Sequence, residues 1–142
     1  MIRRADKLDE SIPSSPRNIE GAVRRVVGFL EENSDCRELE NIQAALREAV
    51  SNAMIHGHHG DPEKSVHLTV EIEESGGITI VVRDSGPGFD PSILPDPTEG
   101  DNIYRESGRG VFLIRQLMDR VEYQFGEGTV LTMSLQPPKR QP

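Results

Sequence analysis

The stretch from Glu38 to His59, ELENIQAALREAVSNAMIHGHH, constrains the fold more than any other part of the chain. Ile42, Leu46, Ala49 and Ala53 recur at the i, i+4, i+7, i+11 spacing of a helix buried along one side, and Ala45, Val50 and Met54 widen that stripe. Glu48, Asn52 and His56 stand four apart. At roughly 3.6 residues per turn each is offset from the last by only about 40°, so the three share one edge. A carboxylate, an amide and an imidazole thus border a surface of small residues, on which something other than side chains can pack. Gly57 supplies a helix stop. Alone, such an edge is the ordinary solvated rim of an amphipathic helix. It indicates a site only if other segments bring the remaining parts.

The other segments have the length and composition of one domain. The chain has 142 residues, is 35% hydrophobic and carries its apolar residues periodically, as a globular chain does. We expect a single domain over 1–142 with its core at about 8–135. A formal charge of −8 argues against a nucleic-acid or anionic-membrane binder, since phosphate backbones need basic surface. Any phosphate must be met by backbone amides, a metal or a few Arg side chains. Cys36 is the only cysteine, so no internal disulfide forms and a reducing compartment is expected. With no signal peptide and no apolar run of membrane-spanning length, the chain reads as soluble and cytoplasmic.

Leu8 and Ile12 fit inward positions of a short edge strand. Ser15-Pro16 reads as a helix entry, a capping hydroxyl followed by Pro at the first helical position. Ile19, Val23, Val26, Val27 and Leu30 then form a second stripe, to about Glu32, interrupted by Gly28. Val66, Leu68, Val70 and Ile72 alternate with polar residues, a strand with one wet face. Ser75-Gly76-Gly77 turns the chain, and the β-branched run Ile78–Val82 reads as a central strand ending at Arg83-Asp84. From Phe89 to Ser107 proline, glycine and acids give a long loop, a functional lid or a disordered insertion. Gly108-Arg109-Gly110 then opens a third helix with Val111, Leu113, Ile114, Leu117 and Met118 apolar. Val121, Tyr123 and Phe125 suggest one strand and Leu131, Met133 and Leu135 a last one, before a disordered tail at 136–142. The order β-α-α-β-β-loop-α-β-β predicts an α+β fold: a two-layer sandwich whose mixed, mainly antiparallel sheet carries helices on one face.

Three short segments carry candidate chemistry. Asp84-Ser85-Gly86-Pro87-Gly88 follows a buried strand; its carboxylate can accept a hydrogen bond from an exocyclic amine, and its glycines admit a planar ring close to the backbone. Alone it is equally an ordinary glycine turn. Gly108-Arg109-Gly110 offers free backbone N–H groups and a favourable dipole to phosphate, or else is a flexible connector. His56, His58, His59 and His67 do not make a zinc set, and are read as a helix-end histidine and a polar turn. No P-loop and no eukaryotic-type kinase catalytic loop is present, and the glycines of GRGVFL fall short of a dinucleotide fingerprint.

Taken in order, EAVSNAMIH, DSGPGF and SGRGVFLI resemble the N, G1 and G2 boxes of the Bergerat-type ATP-binding fold, shared by gyrase-like ATPases, sensor histidine kinases and anti-sigma-factor serine kinases. The resemblance spans about residues 8–135. The Ala-rich N box ending in His56-Gly57, and SGRGVFLIRQLMD before a VEY strand, look most like the bacterial anti-sigma regulatory kinases. No phospho-accepting helical hairpin precedes the domain, so a complete histidine kinase is not expected. The resemblance implies Asn52 as ligand of a Mg²⁺ that bridges ATP phosphates, and Glu48 as general base toward a Ser or Thr hydroxyl. It implies Asp84 as the reader of adenine's exocyclic amine, with Gly86 and Gly88 allowing close approach. Gly108 and Gly110 would give amides to phosphate as an 89–107 lid closes, Arg105 and Arg109 would add charge near the γ-phosphate, and Thr129 would support the Asp84 contact through a water. Its implied partners are a sigma factor and an anti-anti-sigma protein, with homodimerisation common in the family and no direct nucleic-acid or membrane contact. Two rival readings remain: a non-catalytic, nucleotide-gated binding protein, and a detached domain that phosphorylates a histidine elsewhere.

Overall fold

In chain order the elements are strand β1 (Lys7–Pro13), helix α1 (Ile19–Asn33), helix α2 (Leu39–Asn52), strands β2 (Ser65–Ile72) and β3 (Ile78–Asp84), helix α3 (Arg105–Leu117), and strands β4 (Arg120–Gly126) and β5 (Gly128–Leu135). A 3-10 turn, Pro16–Asn18, precedes α1, and a π turn, Ala53–Gly57, continues α2. This computed structural model describes residues 6–58, 61–85, 105–126 and 128–137, with His56 and residues 105–109 described by backbone alone.

The strands form one sheet in the order β1-β2-β3-β5-β4. Every described pairing is antiparallel, in line with the mainly antiparallel sheet anticipated from the element order. Period-two alternation sets its faces. Val66, Leu68 and Val70 of β2, Ile78, Ile80 and Val82 of β3, and Leu131, Met133 and Leu135 of β5 are buried, while the intervening residues are not. Register lines these residues up: Val70 faces Ile80, which faces Met133, and Leu68 faces Val82, which faces Leu131. A slip of one residue would turn each row to the wrong face.

The helices cover the apolar face. Ala22, Val23, Val26 and Leu30 of α1 and Ile42, Ala45, Leu46, Ala49 and Val50 of α2 join the strand residues in one core, with Ile114 of α3 and Met118 just past its end. Fully burying a Leu, Ile or Val is worth roughly 1.5–3 kcal/mol, so these stripes supply much of what holds the two layers together. Ile12 is buried beneath the β1 edge, as its place in the sequence indicates.

Helix ends depart from expectation in three places. Ser15 is extended and its hydroxyl makes no cap; its carbonyl accepts from Asn18 N–H to form the 3-10 turn, and α1 starts only at Ile19. α2 reaches its expected stop at Gly57, but not with α-helical spacing, because the ladder widens at Ala53 and His58 N–H bonds Ala53 O. α3 starts at Arg105, so Gly108-Arg109-Gly110 lies inside its first two turns. Leu113, read as part of the α3 stripe, is exposed. Among the described residues no helix is long and apolar enough to cross a membrane.

Candidate functional site

The last turns of α2 form one wall of the site. Glu48 and Asn52, one turn apart, are both half-buried and face the beginning of α3. A Cβ placed on Gly110 would stand 2.9 Å from Glu48 Oε2 and 2.9 Å from Asn52 Nδ2. A side chain there would displace the tips of Glu48 and Asn52, so Gly110 lets α3 and the polar pair meet as they stand. Gly108 and Arg109 lie in the preceding turn, their backbone alone described.

On its other side Asn52 borders a recess that ends at the sheet. Asn52, Asp84 and Thr129 give this recess its polar wall; Ala49, Ala53, Val82, Leu131 and Tyr123 give it an apolar one. Asp84, the last residue of β3, is paired in register with Thr129 near the start of β5. Thr129 is buried, and its hydroxyl oxygen has no hydrogen-bond partner among the described residues. Such groups are rare because each costs about 1–3 kcal/mol when left unmade. The sequence-derived residues therefore meet as two overlapping groups, Glu48, Asn52 and Gly110, and Asn52, Asp84 and Thr129. Gly86, Gly88 and most of the anticipated 89–107 lid lie outside the described residues.

Glycine serves close approach here as well. A Cβ on Gly57 would fall 2.5 Å from the Asp84 carboxyl carbon, so this residue both ends the π turn and makes room for Asp84. Gly128, at φ +136°, has its α-carbon turned onto the Asp84 and Ser85 backbone, a conformation and a space that exclude other residues.

A profile of the histidine kinase-like ATPase domain matches residues 12–135. The chain belongs to the histidine kinase-like ATPase family. An anti-sigma F factor of Heyndrickxia coagulans is 30% identical over 134 residues, 90% of each chain. That of Bacillus cereus is 32% identical over 116 residues, 80% of this chain and 78% of its relative. Two solved structures share the fold. The RsbU and RsbW domains of a Mycobacterium tuberculosis protein superpose with TM-score 0.68 at 17% identity, over 93% of this chain and 32% of that one. The SiaB-SiaC complex of Pseudomonas aeruginosa gives TM-score 0.65 at 16% identity, over 94% and 90%.

A histidine kinase-like ATPase domain implies nucleotide binding. The recess itself is narrow, about 20 Å³ and room for little more than one water, so what it contributes is the chemistry of its lining. Ala49 and Ala53 line it with small apolar side chains, Asp84 supplies a carboxylate acceptor, and Thr129 supplies a hydroxyl with no partner among the described residues. Two residues beside these groups carry contacts that the sequence does not announce. His58, expected in a polar turn, is 1% exposed and bonded through both ring nitrogens, to Ser14 and to Ser85. Burial pushes its pKa below the ordinary value, against the opposing pull of the Asp84 charge. Tyr123, read only as a strand residue, lines the recess; its ring stacks on Phe125 at 6.1 Å and the Arg115 guanidinium sits 6.0 Å above it. Burial raises its hydroxyl pKa to about 12. No local signal marks either residue, since both depend on elements distant in the chain.

Proposed function

We propose that this chain is an ATP- and Mg²⁺-dependent protein serine/threonine kinase that also acts as an anti-sigma factor in a partner-switching circuit. The observation that carries the reading is the shared position of Asn52, beside Glu48 and Gly110 on one side and in the recess with Asp84 and Thr129 on the other. One nucleotide lying along that line would meet its base reader and its phosphate end at once. The names of the anti-sigma F factor relatives support the regulatory half of the proposal.

Asp84 would accept a hydrogen bond from the exocyclic amine of adenine, with Thr129 supporting it through a water. Gly86 and Gly88 would let ring and sugar approach the chain. Asn52 would hold Mg²⁺ through its amide oxygen, suited to a hard cation that keeps several waters and shares phosphate oxygens. Bound there, the ion would neutralise charge developing on the transferred phosphoryl group. Gly108, within the first turn of α3, would direct its N–H at phosphate, Gly110 would keep the helix close, and Arg109 would add positive charge. Glu48 would take the hydroxyl proton of an incoming Ser or Thr. Positioning and electrostatics dominate phosphoryl transfer, so this short set suffices. We take residues 1–142 as a single domain with its core at about 8–135, acting in the cytoplasm. Its partners would be a sigma factor and an anti-anti-sigma protein, and it would form a homodimer.

Incubation with Mg-ATP and the cognate anti-anti-sigma protein should place acid-stable phosphate on a Ser or Thr. Glu48→Gln should lower the transfer rate by about 100-fold or more, the range expected for a general base, while ATP affinity changes little. Full transfer by that variant would remove Glu48 from the chemistry. Capture of a sigma factor with no transfer would leave only a nucleotide-gated binder, and acid-labile phosphate would point to a histidine acceptor.

A further inference from the structure

His58 lies between the end of β3 and Ser14, the residue that follows β1, and no role in nucleotide handling follows from the boxes. Its Nε2 is 2.9 Å from the backbone nitrogen of Ser85. A backbone N–H can only donate, so Nε2 is the acceptor and Nδ1 carries the proton. Nδ1 then donates to Ser14 Oγ at 2.8 Å. Ser85 Oγ lies 3.1 Å from Nε2 as well. Ser14 is itself fully buried, with its N–H bonded to Lys64 O at 3.0 Å, so the anchor is firm. Gly57, the preceding residue, packs against the Asp84 carboxylate. Two consecutive residues, Gly57 and His58, thus grip two consecutive residues, Asp84 and Ser85, one at the side chain and the other at the following amide.

A buried histidine that merely fills space and satisfies its own nitrogens is the simpler account. It does not require that the imidazole hold the very peptide that follows the base-reading carboxylate. We propose that His58 is a positioning residue for base recognition: by fixing the Ser85 amide against the Ser14 anchor, it presents the Asp84 carboxylate to an exocyclic amine in one orientation. Hydrogen bonds weaken steeply with misalignment, so a loosened Asp84 would lose discrimination before the recess lost its shape. This inference rests on the reading of Asp84 given under the proposed function.

The test compares the full chain with His58→Phe, His58→Gln and Ser14→Ala by calorimetry with Mg-ATP and with Mg-inosine triphosphate, in which a carbonyl replaces the amine, alongside thermal unfolding. The unaltered chain should prefer ATP. His58→Phe keeps a ring but neither hydrogen bond, and should reduce ATP affinity about tenfold, the worth of one well-made hydrogen bond, with little change for inosine triphosphate. His58→Gln, with an acceptor for the Ser85 N–H, should recover most of the preference even if it melts earlier. Ser14→Ala should weaken the preference in the same direction, and carries the test should His58→Phe not fold. Lower melting temperatures with the preference intact in every variant would make His58 a filler and overturn the proposal. Equal binding of both nucleotides by the unaltered chain would instead overturn the Asp84 reading itself.

Discussion

The Thr129 hydroxyl shows how much a single atom can disclose. Its neighbours are Asp84 across the ladder and the apolar side chains of the recess, and within the described residues it bonds to none. A group left in that condition destabilises the fold unless something outside the chain completes it. Thr129→Val, which keeps the shape and removes the hydroxyl, should therefore leave the urea midpoint unchanged or raised while weakening Mg-ATP binding by about tenfold, one hydrogen bond's worth. A drop in stability with unchanged affinity would show that the hydroxyl has a partner in the protein. Thr129, Glu48, Asn52 and Asp84 can be singled out from the sequence as candidates because each sits in or beside a segment of recognisable spacing, and the fold brings them near one another. His58 cannot be picked out this way. In the string HGHH it reads as a wet turn, and only Ser14, 44 residues away, and Ser85, 27 residues away, make it an internal strut. The sequence marks Gly57 as a helix stop and Gly110 as a helix opening with an amide for phosphate, but not that the two also admit Asp84 and the Glu48–Asn52 pair.

Among the elements, α1 offers the plainest check on propensity. A Cβ on Gly28 would meet nothing within 4 Å, so the glycine serves no close packing in the described structure. Gly28→Ala should add about 1 kcal/mol, read as a higher urea midpoint at unchanged slope. Loss of stability would mean that α1 needs the glycine for a contact with another molecule. Element type was readable throughout, because periods of 2 and 3.6 differ over as few as seven residues. Element ends were not. Nothing near Asn52 announces that the ladder widens into a π turn, and α3 begins three residues before the glycines that seemed to open it. Such ends are set by what the neighbouring element touches, as Asp84 against Gly57 illustrates.

At the scale of the molecule, buried His58 and half-buried Tyr123 each make stability depend on pH, one on the acid side and one on the alkaline side. Burial lowers the pKa of His58, so the unfolded chain binds that proton more tightly, and stability present above its ordinary 6.5 is lost as the pH falls below it. Burial raises Tyr123 from 10.0 to about 12; here the folded chain holds the proton, and stability present below 10.0 is lost as the pH climbs through that interval. Urea midpoints should form a plateau between these limits, with an acid limb that shrinks in His58→Gln. An acid limb of the same size in that variant would assign it to other groups. The layer arrangement was readable from element order and from the one-sided alternation of the strands, but the β3–β5 pairing brings together segments on either side of α3 and had no local cue. That pairing has a further result. Asp84 and Thr129 share the recess only while β3 and β5 keep their present alignment, and displacement by a single residue would send Thr129 to the opposite side. A ligand that engages both would thus act as a proofreader of strand alignment, adding its binding energy to the correctly zipped sheet and to no shifted version of it.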